Sequence, residues 1–234
     1  MKKTFLSVLA FSFSSVVIFL PVAFCATGQE VLNEVQHRYE KTNDLEANFI
    51  QESIGKVMKK PQRGEGKVYL KKKGMMRWDY RIPNQKLISD GQTLWYYQPD
   101  ENQVLVYDVS KVLKEKIPLA FLSGEGDLSR DFSILNLKES IHQKEEHFIL
   151  ELAPKEPWAA LTKLTLTVDK KTYFVVQADV FDVLGNLTRT RFTDIKTNVA
   201  LPNFLFHFTI PPGAEVVQFK EPSPSPGRKG TSIK

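Results

Sequence analysis

The sequence predicts a mainly β protein, one curved or part-closed antiparallel sheet of about eleven strands with short helices covering its open side. Apolar and polar residues alternate with a period of two through much of the chain, which is typical of strands. Clusters of Gly, Pro, Asn and Asp separate these stretches, and short turns join antiparallel neighbours. A strongly twisted sheet of this size tends to curl, because closure removes exposed edges.

Residues 1–26 resemble a secretory signal peptide, since Lys2 and Lys3 precede a long apolar run and small residues follow it. The run also reaches the length that spans a bilayer, so a membrane anchor is the alternative; interruption by four serines favours cleavage. Cys25 is the sole cysteine. A lipid-modified cysteine normally follows a small residue, whereas Cys25 follows Phe24, and cleavage after Cys25 would leave no thiol for a disulfide.

Removal of the signal leaves about 208 residues, which suits a single all-β domain over residues 27–220. The chain has 32 Lys and Arg against 27 Asp and Glu, a net charge of +5 that falls to +3 without Lys2 and Lys3. This mild excess does not indicate a nucleic-acid-binding protein, which needs clustered positive charge. Residues 221–234 are rich in Pro and Ser and are predicted to be disordered.

The first element after the signal is a predicted helix over residues 27–42, where Val31, Leu32, Val35 and Tyr39 form one apolar stripe. Three further helical pieces follow the central strands. One is capped by Ser110, one begins at Pro118, and one is capped by Asp127. These pieces are too short and too apolar to be stable alone in water, so they are expected to cover the sheet.

The central strands occupy residues 66–109, where Val68 and Leu70 share one face of a strand. Met76, Trp78 and Tyr80 share one face of the next strand. The aromatic residues from Trp95 onwards fall on both faces, so the second face is either covered core or the wall of an apolar hollow. The residue pattern alone favours covered core.

Turn signals divide the rest of the sheet. Asp90 and Gly91 predict a hairpin with a type I′ turn, which needs positive φ at both central residues. A final strand is predicted to begin at Pro202, with Phe204, Phe206 and Phe208 on one face.

Candidate catalytic and metal-binding residues are few. His142 and His147 are the closest histidine pair, and their spacing puts them on opposite faces of a strand. The chain has no GxSxG motif, and Gly124 and Gly126 lack the Lys-Ser/Thr that follows in a phosphate-binding loop. We therefore expect no catalysis, no metal and no cofactor.

Several short motifs, in order and spacing, resemble the LolA family of periplasmic lipoprotein carriers over most of the mature chain. They are ANFIQ at 47–51, GKVYL at 66–70, GMMRW at 74–78, DGQTLW at 90–95, FLSG at 121–124, NLT at 186–188 and FHFTIPPG at 206–213. The resemblance implies an unclosed antiparallel β-barrel with a lid of short α-helices over an apolar cavity. It favours the cavity over solid core, because acyl chains must be hidden from water.

The resemblance also implies function, partners and site residues. The implied function is that of a periplasmic carrier, expected to be a monomer, that takes lipoproteins from an inner-membrane ABC transporter to an outer-membrane acceptor, LolB where present. The residues expected to contact acyl chains are Val68, Leu70, Met76, Trp78, Tyr80, Trp95, Phe121, Leu122 and Phe206.

The chain departs from the family pattern at the end of one strand. Many LolA proteins have Lys-Arg-Pro there, with the Arg holding the lid, whereas this chain has Lys71, Lys72 and Lys73. Lysine lacks the planar guanidinium, so we expect a looser or different latch, with Lys72 and Arg77 as candidates. Arg77 is close in sequence but is expected to face the other side of its strand. The alternative is that the three lysines are simply solvated.

Two alternative functions stay open from the sequence. One is an envelope-stress sensor with a related half-barrel, which would usually need an extra domain. The other is a membrane-anchored acceptor like LolB, which would require lipidation of Cys25.

Overall fold

The computed structural model describes residues 26–56, 60–109, 120–123, 126–142, 144–158 and 161–218. Within these ranges the helices are α1 (Gly28–Lys41) and α2 (Leu128–Asp131), and three 3₁₀ turns cover Pro99–Glu101, Ala120–Ser123 and Asn203–Phe206. The strands are β1 (Asp44–Ile54), β2 (Gln62–Lys71), β3 (Met75–Ile82), β4 (Gln85–Asp90), β5 (Thr93–Gln98), β6 (Gln103–Asp108), β7 (Phe132–His142), β8 (Glu145–Pro154), β9 (Lys163–Asp169), β10 (Val175–Phe181), β11 (Leu187–Thr197) and β12 (Glu215–Gln218).

All twelve described strands belong to one open sheet, in the order β12-β6-β5-β4-β3-β2-β1-β11-β10-β9-β8-β7. Neighbouring strands are antiparallel except β12, which runs parallel to β6. The long pair of β1 and β11 joins the N-terminal and C-terminal halves of the sheet. The prediction of a mainly β, open antiparallel sheet is confirmed, with the parallel β12 as an addition that the sequence pattern did not indicate.

Helix α1 forms where it was predicted. Thr27 and Glu30 build a capping box, in which each side chain accepts a hydrogen bond from the other residue's backbone N–H. The predicted stripe of Val31, Leu32, Val35 and Tyr39 is buried against the sheet. We call the side of the sheet under α1 the inner face, and the opposite side the outer face.

The main core lies on the inner face. Opposed residues of an antiparallel pair share a face, so the pairing of Val68 with Trp78 and of Leu70 with Met76 places all four there. The other half of the sheet continues this layer through alternating residues of β8 and β9. These are Phe148, Leu150, Leu152, Leu164, Leu166 and Val168, all buried.

A second, smaller layer lies on the outer face of β3 to β6. Residues 199–214, here called the C-terminal segment, cross this face and bury Leu201 and Phe206. The predicted strand from Pro202 is therefore wrong. The chain forms a 3₁₀ turn there instead, which leaves Phe204 77% exposed and Phe206 fully buried. Period-two aromatics indicated a strand, but the proline residues at both ends of this segment cannot donate ladder hydrogen bonds.

The β4–β5 hairpin forms at the predicted place with a different turn. Gly91 has a φ of 93°, but Asp90 does not have positive φ, so the type I′ turn is wrong. Instead the Asp90 carboxylate accepts hydrogen bonds from the backbone N–H groups of Gln92 and Thr93, both at 2.8 Å. This bonding by an Asp side chain to the following backbone replaces the predicted geometry.

Asp127 caps α2 as predicted, since its carboxylate accepts from Arg130 N at 2.9 Å. The helix predicted from Ser110, the signal peptide up to Cys25 and the tail 221–234 lie outside the described residues. No helix in the described part of the chain is long and apolar enough to cross a membrane.

Candidate functional site

The inner face of β1 to β3 is a dense aromatic and aliphatic layer. Val68 is fully buried and Met76 is 2% exposed. The Phe49 ring meets the Trp78 ring edge-on, with centroids 4.9 Å apart, and meets the Tyr80 ring at 4.7 Å. In this structure these side chains pack against the elements above them, so the apolar surface is hidden from water.

Helix α1, the turn Ala120–Ser123 and helix α2 cover this layer, and we call them the cover. Phe121 and Leu122 are buried in the same cluster as Met76 and Trp78. The Phe121 ring also meets the Tyr39 ring edge-on at 5.6 Å. The predicted apolar lid residues therefore do face the inner side of the sheet.

Side-chain hydrogen bonds join the two helices of the cover. Gln36 Oε1 accepts a hydrogen bond from Leu128 N at 3.0 Å, and Asn33 Oδ1 accepts one from Ser129 Oγ at 3.1 Å. These bonds lie at partly exposed positions, whereas the contacts between cover and sheet are mainly apolar. The cover is thus linked internally and rests on the sheet through an apolar surface.

Tyr39 provides a polar link between the cover and the sheet. Its buried hydroxyl accepts a hydrogen bond from Val175 N at 3.2 Å. Burial raises the pKa of Tyr39 above its usual value, so the phenol is neutral at ordinary pH. Phe174 adds ring contacts, edge-on to Tyr39 at 5.6 Å and beneath the Arg38 guanidinium at 5.5 Å.

Two of the nine predicted lipid-contacting residues lie on the outer face. Trp95 pairs with Ile88 and Val106. Its neighbour Tyr96 pairs with Leu87 on the inner face, and successive residues of a strand point to opposite faces, so Trp95 lies on the outer face. Its ring lies 6.2 Å from Phe208 of the C-terminal segment. Phe206 belongs to this segment and is fully buried. No single surface can therefore include all nine residues; the other seven surround the inner face.

The two candidate latch residues do not act together on the cover. Arg77 lies on the outer face, where it donates to the carbonyl of Leu205 at 3.1 Å and to Asp79 at 2.8 Å. It therefore contacts the C-terminal segment on the outer face, and a latch on the inner-face lid stays a prediction. The Lys72 side chain is exposed, and its backbone N–H donates to Asn43 O at 3.1 Å.

Lys71, which was not predicted as a site residue, also holds the C-terminal segment. Its ammonium group donates to Leu201 O at 2.6 Å and to Asn203 Oδ1 at 2.7 Å. The Asp44 carboxylate accepts from Val199 N at 2.7 Å and from Leu201 N at 3.1 Å. These contacts join positions far apart in sequence, so no local pattern could have indicated them.

Sequence reasoning also missed a set of polar inner-face side chains. Gln51 follows Ala47 and Phe49 at a spacing of two, so alternation alone places it on the inner face. It accepts a hydrogen bond from Tyr80 OH at 3.1 Å. Among the described residues, no group of three or more His, Cys, Asp or Glu side chains is arranged to hold a metal ion.

Comparison with known proteins gives the family. The family model "Outer membrane lipoprotein carrier protein LolA" matches residues 40–209, which is most of the chain. The chain belongs to the LolA family. An outer-membrane lipoprotein carrier protein of Dechloromonas aromatica (strain RCB) is 31% identical over 179 residues, covering 76% of this chain and 83% of the relative. The one from Legionella pneumophila (strain Corby) is 31% identical over 220 residues, covering 93% of this chain and 100% of the relative.

A solved structure supports the fold of this LolA-family chain. An uncharacterized conserved protein from Thermus thermophilus superposes with a TM-score of 0.53 over 82% of this chain and 98% of its own. The two sequences are only 13% identical, so the likeness concerns the fold alone.

Proposed function

We propose that this protein is a periplasmic carrier that binds the acyl chains of lipoproteins released from the inner membrane and delivers them to an outer-membrane acceptor. The family assigns the general role of lipoprotein carrier. The observation that carries the finer statement is the continuous apolar inner face beneath a separate cover. No catalytic step is part of this function.

The physical chemistry of lipoproteins explains why a carrier needs such a surface. Each CH₂ group of an acyl chain costs about 0.8 kcal/mol when it is exposed to water, so a released lipoprotein needs an apolar site during transfer. The inner face offers Met76 and Trp78 together with Phe121 and Leu122 of the cover. Movement of the cover would expose these side chains to acyl chains, and its return would release them.

The partners follow from this role. An inner-membrane ABC transporter would load the carrier, and an acceptor of the LolB type would unload it where one exists. Unloading requires that the carrier bind the lipoprotein reversibly. Transfer is then favourable when the acceptor binds the lipoprotein more tightly than the carrier does. A cover that rests on apolar contacts and few buried hydrogen bonds suits repeated opening.

The test is capture of lipoproteins from spheroplasts by the purified mature chain. Met75 and Met76 offer a matched pair, since they are adjacent and lie on the outer and inner faces respectively. We expect Met76→Trp to reduce the captured lipoprotein strongly, because the larger ring fills the acyl site, and Met75→Trp to leave capture unchanged. Circular dichroism would verify that both variants fold. Absence of capture by the unsubstituted protein would contradict the carrier function.

Location is tested by the mass of the exported protein. A soluble carrier should begin after the signal peptide, near residue 27, without any attached lipid. A diacylated Cys25 would contradict the soluble carrier and would support the anchored acceptor.

A further inference from the structure

A row of polar side chains crosses the inner face beside its apolar layer. Cross-strand pairing places Gln51 opposite Thr190 and Tyr80 opposite Gln85, and Tyr96 shares their face through its pairing with Leu87. We call these five residues, Thr190, Gln51, Tyr80, Gln85 and Tyr96, the polar row. They come from β11, β1, β3, β4 and β5, so the row spans the middle of the sheet.

Glycines in β2 allow the row to continue from β1 to β3. Gly64 pairs with Gln51, and Gly66 pairs with Tyr80, so these two inner-face positions of β2 carry no side chain. A Cβ on Gly64 would lie 3.2 Å from the Tyr80 ring. The phenol therefore leans across β2 and donates to Gln51 Oε1 at 3.1 Å.

Two further hydrogen bonds fix the row. Gln51 Nε2 donates to Thr190 Oγ1 at 3.2 Å, and Tyr96 OH donates to Gln85 Oε1 at 2.6 Å. Each glutamine thus accepts a tyrosine hydrogen bond through its side-chain carbonyl oxygen. This bond fixes the orientation of the amide group, and with it the position of the amide nitrogen.

The glutamine amides retain donor capacity. A primary amide has two N–H donors. Gln51 Nε2 uses one of them on Thr190, and Gln85 Nε2 donates to no partner within the described residues. Both glutamines are half-buried, next to the layer that contains Phe49 and Trp78. The row thus offers neutral N–H donors, and no charged group, at the border of an apolar surface.

We propose that the polar row binds the ester carbonyls of the diacylglyceryl group of a lipoprotein, while the acyl chains lie on the adjacent inner face. This inference rests on the proposed carrier function. Ester carbonyls accept hydrogen bonds and do not donate them. They are attached directly to the acyl chains, just as the glutamine N–H donors of the polar row lie directly beside the apolar layer of the inner face. Burial raises the pKa of Tyr80 to about 12, so its phenol also stays protonated at neutral pH.

The experiment compares two synthetic lipopeptides that differ only in the glycerol linkage. One has ester-linked chains, and the other has ether-linked chains of the same length, which lack the carbonyls. Calorimetric titration of the full mature chain should give binding of the ester that is about five-fold tighter, as one or two neutral hydrogen bonds provide. The double variant Gln51→Met, Gln85→Met should remove this preference, because it removes both glutamine donors of the row.

Gln92→Met is the matched control, because Gln92 lies exposed in the turn of the same β4–β5 hairpin. It should retain the full ester preference. Equal affinity of the unsubstituted protein for ester and ether compounds would overturn the inference, and so would an ester preference that survives in the double variant. Failure to bind either lipopeptide would instead overturn the carrier function.

A phosphatidylglycerol with the same chains, and its ether analogue, distinguish the source of the carbonyls. An ester preference shown by the lipopeptide alone, or by both classes of lipid, supports the inference. An ester preference confined to the phospholipid overturns it as a lipoprotein site.

Discussion

At Tyr39 a single hydroxyl group connects the cover to the sheet. The hydroxyl accepts from Val175 N, and the side chain is 4% exposed. Substitution Tyr39→Phe would leave a buried backbone N–H without an acceptor, which costs about 1–3 kcal/mol. We expect urea denaturation to show a loss of this size. Tyr69→Phe is the control, because Tyr69 lies on the outer face and is half-exposed, and a comparable loss there would show that the effect is not specific to Tyr39.

The raised pKa of Tyr39 also predicts a dependence of stability on pH. The folded-state pKa lies above the usual value of 10.0, so the unfolded state loses its proton first. The contribution of the neutral phenol is therefore complete below pH 10 and declines as the pH rises above it, by up to about 1.4 kcal/mol per pH unit. Tyr39→Phe should show a shallower alkaline decline of the unfolding free energy than the unsubstituted protein. Identical slopes would contradict the assignment.

Among the elements, the C-terminal segment depends on two cations of the outer face. Lys71 and Arg77 donate to the backbone carbonyls of Leu201 and Leu205. The double variant Lys71→Met, Arg77→Met keeps the aliphatic parts of both side chains but removes these bonds. We expect amide exchange in residues 201–208 to accelerate about ten-fold or more, since each charge-assisted bond contributes roughly 1.5–3 kcal/mol.

The neighbouring Lys72 provides the control for that measurement, because its side chain is exposed. Lys72→Met should leave exchange in the C-terminal segment unchanged. Unchanged exchange in the double variant would show that apolar contacts of Phe206 and Phe208 hold the segment without help.

Sequence patterns predicted those elements whose signal is local. Helix α1, the capped α2 and the strands of the inner face follow from caps and periodicity that lie within a few residues. The aromatic alternation at residues 204–208 was misleading, because burial there comes from packing on the outer face of β3 to β6 rather than from a strand ladder. Tertiary contact, which the local pattern does not contain, decided this conformation.

The residues of the candidate site likewise differ in whether a local sequence pattern indicates their position. Val68, Leu70, Met76 and Trp78 could be predicted, since their pattern distinguishes the two faces of a strand. Trp95 could not be placed, because β5 has aromatic residues on both faces and only the pairing with Ile88 assigns its side. The contacts of Arg77 with Leu205 span 128 positions of sequence and require the fold itself.

For the molecule as a whole, burial of inner-face side chains beneath the cover predicts movement of the cover during loading. Val68 and Leu150 on the inner face are fully buried, so acyl chains that reach them displace side chains of the cover. We expect an acylated lipopeptide to accelerate amide exchange in α1, residues 120–123 and α2, and to slow exchange in β1 to β3. Hydrogen exchange followed by mass spectrometry, with and without the lipopeptide, measures both changes.

The unacylated peptide is the control for this measurement and should change neither region. The two expected changes have opposite signs because ligand and cover compete for one apolar surface, while the sheet keeps its ladder hydrogen bonds throughout. Binding of the acylated peptide with α1 as protected as before would contradict movement of the cover during loading.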